Sequence, residues 1–122
     1  MSQLLMKKSV IIDKRADKEI RKFGRKVLNK FRALFDILKD EGVLAEPFAK
    51  KLSETGLFEV RVKYRGQYWA LYAYFEKEYI VILTAFIKKT QKTPLHEISK
   101  AKKRLSEYQE ILWKISKNYF QK

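Results

Sequence analysis

The sequence has no cysteine and only one histidine, which excludes a disulfide framework, a thiolate metal site and a histidine-rich metal site. No apolar run approaches the ~20 residues that a membrane-spanning helix needs. The first residues lack the long apolar stretch and the small-residue cleavage site of a signal peptide. Only four glycines and two prolines are present, and we find no linker, repeat or low-complexity tract. These absences fit a cytoplasmic protein that does not enter a membrane.

At 122 residues the chain is long enough for one domain and too short for two separate cores, so residues 1–122 are expected to form a single domain. Hydrophobic residues make up 46% of the sequence, which is enough to bury a core. Lysine and arginine outnumber acidic residues by 28 to 14, and the net charge is +14. Because such an excess repels itself in the folded state, it favours a polyanionic partner, first of all nucleic acid. The alternative is a basic surface without a specific partner.

The first part of the chain predicts a short strand followed by a long helical stretch. Residues 8–13 are apolar and β-branched at their centre. Residues 14–41 carry apolar side chains three or four positions apart, which is typical of one helix face. Gly24 is expected to bend this stretch or to split it into two helices, and Gly42 is expected to end it. Residues 46–52 predict a short helical turn opened by a proline.

The second part of the chain predicts three strands and a last helix. The strands are expected at residues 57–64, 68–75 and 79–87, with turns at 65–67 and 76–78. The third strand is apolar on both faces, which indicates a central position in the sheet. Thr93 is expected to cap the last helix, with Pro94 at its first position.

This order of elements predicts an α+β domain. It consists of a short N-terminal strand, a long helix or helix pair, a three-stranded antiparallel meander and a C-terminal helix. We expect the helices to pack on one face of the sheet, which leaves the other face or its rim for a ligand.

The strand at 57–64 has two chemically different faces. If Val60 and Val62 point into the core, Glu59, Arg61 and Lys63 point the other way. The two cations are then ~7 Å apart, which is close to the phosphate spacing of a nucleic-acid strand. Glu59 is expected to pair with the neighbouring arginine rather than to act as a catalytic carboxylate.

Aromatic side chains of the next strand are expected beside these cations, where they suit stacking on single-stranded bases. The register leaves two sets open. They are Tyr68, Tyr72 and Tyr74, or Trp69 and Leu71.

The loop after the third strand is a second candidate for RNA binding. It combines three cations and polar side chains with a helix N-terminus, which all favour an anion. Its candidate residues are Lys88, Lys89, Thr90, Gln91 and Lys92. His96 follows in the first turn of the helix and is a candidate general acid or base, although a histidine there is more often a surface residue without a role.

Two segments of the chain resemble a known family. They read LFEVR at residues 57–61 and FIKKTQKTP at residues 86–94, within a similarity that covers roughly residues 51–108. The chain resembles the phage Gp49-like branch of the HigB toxins, within the RelE/ParE superfamily. The resemblance implies a RelE-like fold, an mRNA interferase that usually cleaves mRNA on the ribosome, and no metal or organic cofactor. It also implies a HigA-type helix-turn-helix antitoxin that represses the operon, so that DNA is contacted only through this partner.

The resemblance carries over to the site only in part. The family's basic strand residues match Arg61 and Lys63, and its basic residue after the last strand matches Lys88 or Lys89. Much of the family has an arginine where this chain has Trp69, which is expected to stack on a base instead. A family tyrosine near the start of the last helix is missing, and His96 is the expected substitute.

These residues predict a mechanism in which the ribose 2′-hydroxyl attacks its own phosphate. Arg61 and Lys89 are expected to stabilise the charged phosphorane, with His96 or Lys63 as the base. Lys89→Ala is expected to abolish growth inhibition while leaving antitoxin binding intact. The missing arginine slightly favours an alternative, a non-enzymatic module that binds RNA or DNA or, like ParE, a target such as DNA gyrase. A degenerate toxin without activity is a third interpretation.

Overall fold

The computed structural model describes residues 7–120, and of residues 116 and 118–120 it describes only the backbone. The described residues form five strands and three helices. In chain order these are β1 (Ser9–Ile12), α1 (Lys14–Arg21), α2 (Arg25–Glu41), β2 (Ala49–Leu52), β3 (Leu57–Lys63), β4 (Gln67–Phe75), β5 (Tyr79–Ile87) and α3 (Leu95–Phe120). The α+β class is therefore confirmed.

The five strands form one sheet in the order β1-β5-β4-β3-β2. Strands β3, β4 and β5 form the predicted antiparallel meander, and β1 pairs with β5 in parallel. Strand β5 has a neighbour on each side and is buried along seven of its nine residues, as its apolar sequence predicts. The β3–β4 turn reverses the chain through positive φ angles at Arg65 (52°) and Gly66 (136°).

A glycine divides the long helical stretch into two helices. Gly24 has φ 97° and ψ 164°, which a helix cannot contain, so α1 ends before it and α2 begins after it. Gly42 takes the left-handed conformation at φ 79°, and its N–H donates to the Leu38 carbonyl. Gly24 therefore splits the helical stretch and Gly42 ends it, as the sequence predicts.

The helices cover both faces of the sheet, which corrects the expectation that they pack on one face. Helices α1 and α2 cover one face of the sheet, and Val60, Val62 and Tyr72 of that face pack against them in one core. Helix α3 covers part of the opposite face, where Ala101 packs with Leu71 and other apolar residues. The physical reason is that β4 and β5 are apolar on both sides, so each face needs a cover.

The segment at 46–52 is also different from the prediction. Residues 46–48 form a turn, and the following residues form β2 instead of a helix. This strand pairs antiparallel with β3, from Ala49 opposite Val60 to Leu52 opposite Leu57. Pairing of the backbone groups with β3 outweighs the local helical preference of the lysines.

Within the residues described, no helix is long and apolar enough to cross a membrane.

Candidate functional site

The polar face of β3 carries a graded series of charged side chains. Glu59, Arg61 and Lys63 alternate with Val60 and Val62, which belong to the core under α1 and α2. Glu59 is buried at 1% exposure, Arg61 is half-buried and Lys63 is exposed. The strand thus leads from a buried carboxylate to a free cation within five residues.

Two cations lie against the ring of Trp69. Trp69 pairs with Arg61 across β3 and β4, so both side chains leave the sheet on the same side. The Arg61 Cζ lies 4.7 Å and the Lys88 Nζ 3.4 Å from the centroid of the Trp69 ring. Because the indole is only 5% exposed, it supports the two cations and does not itself present a stacking surface.

The buried Glu59 carboxylate accepts hydrogen bonds that fix the position of the Arg61 side chain. Its Oε1 accepts hydrogen bonds from Arg61 Nη2 at 2.8 Å and from Arg61 Nε at 3.3 Å. Its Oε2 accepts a 2.6 Å hydrogen bond from the Thr93 hydroxyl. The expected ion pair between Glu59 and Arg61 is therefore present. Thr93 does not use its hydroxyl as a helix cap, and α3 begins at Leu95 instead.

The charge of Lys88 is affected by its surroundings. Burial lowers the pKa of the Lys88 ammonium below its ordinary value. The Glu59 carboxylate opposes this shift, and the cations Arg61 and Lys50 reinforce it. An ammonium with a lowered pKa gives up its proton more readily than an ordinary lysine, which suits a proton donor.

The loop from Lys88 to Lys92 is folded back on itself beside this cluster. The Lys88 backbone N–H donates to the Gln67 carbonyl, and its Nζ donates to the Gln91 carbonyl at 2.6 Å. The Thr90 hydroxyl donates to the Lys92 carbonyl at 2.8 Å. A hollow of about 400 Å³ lies here, and the exposed Lys89 is part of its wall.

Several of the residues expected in the site lie elsewhere. Tyr72 is 1% exposed and packs in the core on the opposite face, and Tyr68 packs on that face against Phe23. Of the two sets of aromatics left open by the sequence, the structure therefore selects Trp69 and Leu71. His96 has a side chain 78% exposed, and its recorded contact is with Glu97 at 3.4 Å.

The structure thus groups Arg61, Lys88 and Trp69, and the loop with Lys89, Thr90, Gln91 and Lys92 lies next to them. The sequence predicted the pairing of Glu59 with Arg61, but it gave no sign that Thr93 binds the same carboxylate. Only the position of Glu59 two residues before Arg61 signalled its part. Within residues 7–120, no three His, Cys, Asp or Glu side chains come together as metal ligands. A chemistry without metal stays a prediction.

The fold and the site define a small α+β protein with a cationic surface at one end of its sheet. The chain belongs to the family described as Phage derived protein Gp49-like (DUF891), whose model matches residues 18–106 and thus more than two thirds of the sequence. This match confirms the resemblance to the Gp49-like family. None of the curated proteins has a significantly similar sequence.

Two solved structures share the fold. A free double mutant of the E. coli toxin RelE is 21% identical with a TM-score of 0.62, over 82% of this chain and 99% of RelE. A chain of the toxin–antitoxin complex RelBE2 from Mycobacterium tuberculosis is 23% identical with a TM-score of 0.54, over 69% of this chain and 94% of its own length. At these identities the likeness shows the fold alone, and the predicted RelE-like fold is confirmed.

Proposed function

We propose that this chain is the toxin of a type II toxin–antitoxin system, of the HigB branch, and that it is an endoribonuclease that cleaves mRNA without a metal. The observation that carries the proposal is the pair of cations, Arg61 and Lys88, that Trp69 supports at one end of the sheet. Two cations held against one indole ring offer positive charge to a phosphate that gains negative charge in the transition state. The family and the fold shared with the toxin RelE support the same activity.

The chemistry is an attack of the ribose 2′-oxygen on the adjacent phosphorus. The 2′-hydroxyl proton passes to a base, for which we propose Lys63, since it follows Arg61 by two residues on the same strand, whereas His96 contacts Glu97 instead. Arg61 stabilises the phosphorane, and Lys88 donates its proton to the departing 5′-oxygen as the P–O bond breaks. A 2′,3′-cyclic phosphate and a 5′-hydroxyl are the products. Lys89, which the sequence analysis gave as a stabiliser of the phosphorane, has no part in this proposal, because Lys88 is the lysine that contacts the same indole ring as Arg61.

We propose that the site is active although the family arginine is missing. Trp69 replaces it with a support for two other cations, so the site keeps its positive charge. We further propose that cleavage takes place on the ribosome in the cytoplasm. The ribosome would supply the positioning of the strand, which alone is worth ~7–11 kcal/mol of a barrier.

Expression of the chain alone, with mRNA mapped by primer extension, tests the nuclease activity. The expected result is growth arrest with new mRNA ends at fixed codon positions. Lys88→Ala should abolish both effects, and an equally expressed Lys102→Ala variant serves as the matched surface control. Arrest with intact mRNA and DNA damage signals would contradict the nuclease and support a gyrase-binding toxin, and harmless expression would support a degenerate toxin.

The proposed partner is a HigA-type helix-turn-helix antitoxin, through which the toxin contacts operator DNA. The toxin–antitoxin complex RelBE2 supports a partner of this kind. Co-expression with the neighbouring small gene should suppress the arrest and allow the two proteins to be purified together.

A further inference from the structure

A groove of about 550 Å³ lies along the edge of β3 and shares Gln67 with the hollow at the lysine loop. It forms because β2 stops pairing where Ala49 faces Val60. The Arg61 N–H still donates to the Phe48 carbonyl at 2.8 Å, and β2 does not extend along the rest of β3. The space between this edge and α2 has the size of a small-molecule or nucleotide site.

The floor of the groove is apolar and ends in an exposed aromatic ring. Ala33 and Leu34 of α2 and Val62 of β3 line it. Phe48 stands at its side and is 50% exposed. A half-exposed phenylalanine beside an apolar slot offers a flat surface on which a planar group can stack.

The rim of the groove is cationic. Lys30 and Lys63 belong to its lining. Lys26, Lys30 and Arg65 also lie 5.5–5.7 Å from the centroid of the Tyr64 ring. None of these cations takes part in the ion pairs found for residues 7–120. Charges held together without a counter-ion call for an anionic occupant, so the groove suits a molecule that is planar, apolar and negatively charged.

The groove is continuous with the proposed cleavage site. Arg61 and Trp69 belong to its lining and also to the cation cluster beside Lys88. A chain bound at the cluster therefore reaches the groove without leaving the surface.

We propose that this groove binds one unstacked nucleobase of the RNA strand, next to the phosphate held at Arg61 and Lys88. The base stacks on Phe48, and Lys30 contacts a flanking phosphate. Charge and continuity favour RNA over an acidic polypeptide, which lacks a planar group at each anionic unit. The inference rests on the proposed function in that it assigns a subsite for the same RNA.

Binding of a short 2′-O-methyl RNA oligonucleotide, which cannot be cleaved, tests the subsite. Phe48→Ala should weaken binding roughly 5- to 150-fold, the change that alanine substitution of a base-stacking aromatic produces. Phe48→Tyr should restore the affinity for the oligonucleotide. Ile37→Ala is the control, because it removes an exposed apolar side chain from α2, outside the groove lining. Thermal unfolding confirms that each variant is folded.

A scan of abasic nucleotides makes the test specific. One position of the oligonucleotide should lose affinity for the wild type when its base is removed, and Phe48→Ala should be insensitive to that same removal. The affinity falls as the salt concentration rises, and in Lys30→Ala the slope of log affinity against log salt should be less steep by about 0.7. This is the change expected for one lost contact to a single-stranded phosphate.

Two outcomes would overturn the subsite. The first is unchanged RNA binding by Phe48→Ala. The second is that Phe48→Ala weakens the binding of poly-L-glutamate as much as the binding of RNA, because a polypeptide without bases should not depend on a stacking ring. The proposed function fails separately. A chain that binds RNA through Phe48 and never cleaves it would refute the nuclease and leave the subsite in place.

Discussion

The Thr93 hydroxyl donates a 2.6 Å hydrogen bond to Glu59 Oε2, and this bond joins the segment before α3 to the middle of β3. The other oxygen of the same carboxylate accepts from Arg61. One buried carboxylate thus fixes the segment of Thr93 on one side and the Arg61 guanidinium on the other. Burying a charge is costly unless it is paired and hydrogen-bonded, and here both oxygens have partners. We therefore regard Glu59 as a positioning residue.

Glu59→Gln should lower RNA cleavage by about one to two orders of magnitude, which corresponds to the ~1.5–3 kcal/mol of a hydrogen bond to a charged group. The amide keeps the shape of the side chain but no longer fixes the Arg61 guanidinium by charge. Single-turnover cleavage measured beside RNA affinity checks this, because affinity should stay within a few-fold.

Thr93 provides the matched pair of variants for the same carboxylate. Thr93→Val removes the hydroxyl and should lower cleavage, whereas Thr93→Ser keeps it and should rescue the activity. Equal activity in the valine and serine variants would show that the contact with Glu59 has no part in positioning.

Lys88→Arg should separate charge from proton donation. Arginine keeps the positive charge over the indole but does not release its proton in the accessible pH range. RNA binding should therefore be retained while cleavage falls ~10²–10⁴-fold, the usual contribution of a general acid. In the wild type, cleavage should decline as pH rises through the lowered pKa of Lys88. Full cleavage by Lys88→Arg at every pH would reduce Lys88 to a fixed charge.

The sequence predicted the meander well because β3, β4 and β5 have continuous apolar or alternating patterns. It failed at β2, where two of four residues are lysines, so the strand exists only through pairing with β3. It also could not assign a face to α3, since the chain can cross to either side of a sheet that is apolar on both.

The candidate site, like the fold, could be predicted from the sequence only where it depends on a local pattern. Arg61 follows from alternation within one strand, which is a local rule. The support by Trp69 depends on the register of the β3–β4 hairpin, and the link from Glu59 to Thr93 spans the whole meander. Neither relation is visible in a local pattern. The depth of Tyr72 in the core was missed for the same reason.

Asp13→Asn should lower the free energy of unfolding by ~2 kcal/mol at neutral pH, the usual value of a hydrogen bond to a charged group. Burial alone raises the pKa of Asp13, but hydrogen bonds from Arg15 and Tyr108 outweigh it and hold the pKa well below its ordinary value. The unfolded chain therefore binds more protons, and this stability is complete above the unfolded pKa of ~3.9 and is lost as pH falls below it.

Urea unfolding of the wild type and Asp13→Asn between neutral and acid pH measures this effect. The difference between the two proteins should shrink as the pH decreases. A difference that is constant over this range would mean that the carboxylate charge contributes nothing.

Arg104→Ala should be the most destabilising of these changes, at ~3–5 kcal/mol, because it breaks a largely buried ion pair. Arg104 donates to the Leu83 carbonyl at 2.7 Å and to both oxygens of Glu19, and Glu19 Oε1 accepts the Ala85 N–H at 3.0 Å. These two side chains satisfy the backbone of β5 where β1 has ended and the pairing with β4 shifts register.

Chemical unfolding of Arg104→Ala, Glu19→Ala and the double variant measures the coupling between the two residues. We expect the double variant to lose less stability than the two single variants together, since either change alone removes the main partner of the other charge. It leaves Glu19 with Lys100 as its remaining ion-pair partner, or Arg104 with its hydrogen bond to the Leu83 carbonyl. Lys103→Ala, at the adjacent exposed position of α3, should change the stability by less than ~0.5 kcal/mol. Additive losses would show that Glu19 and Arg104 support β5 independently of each other.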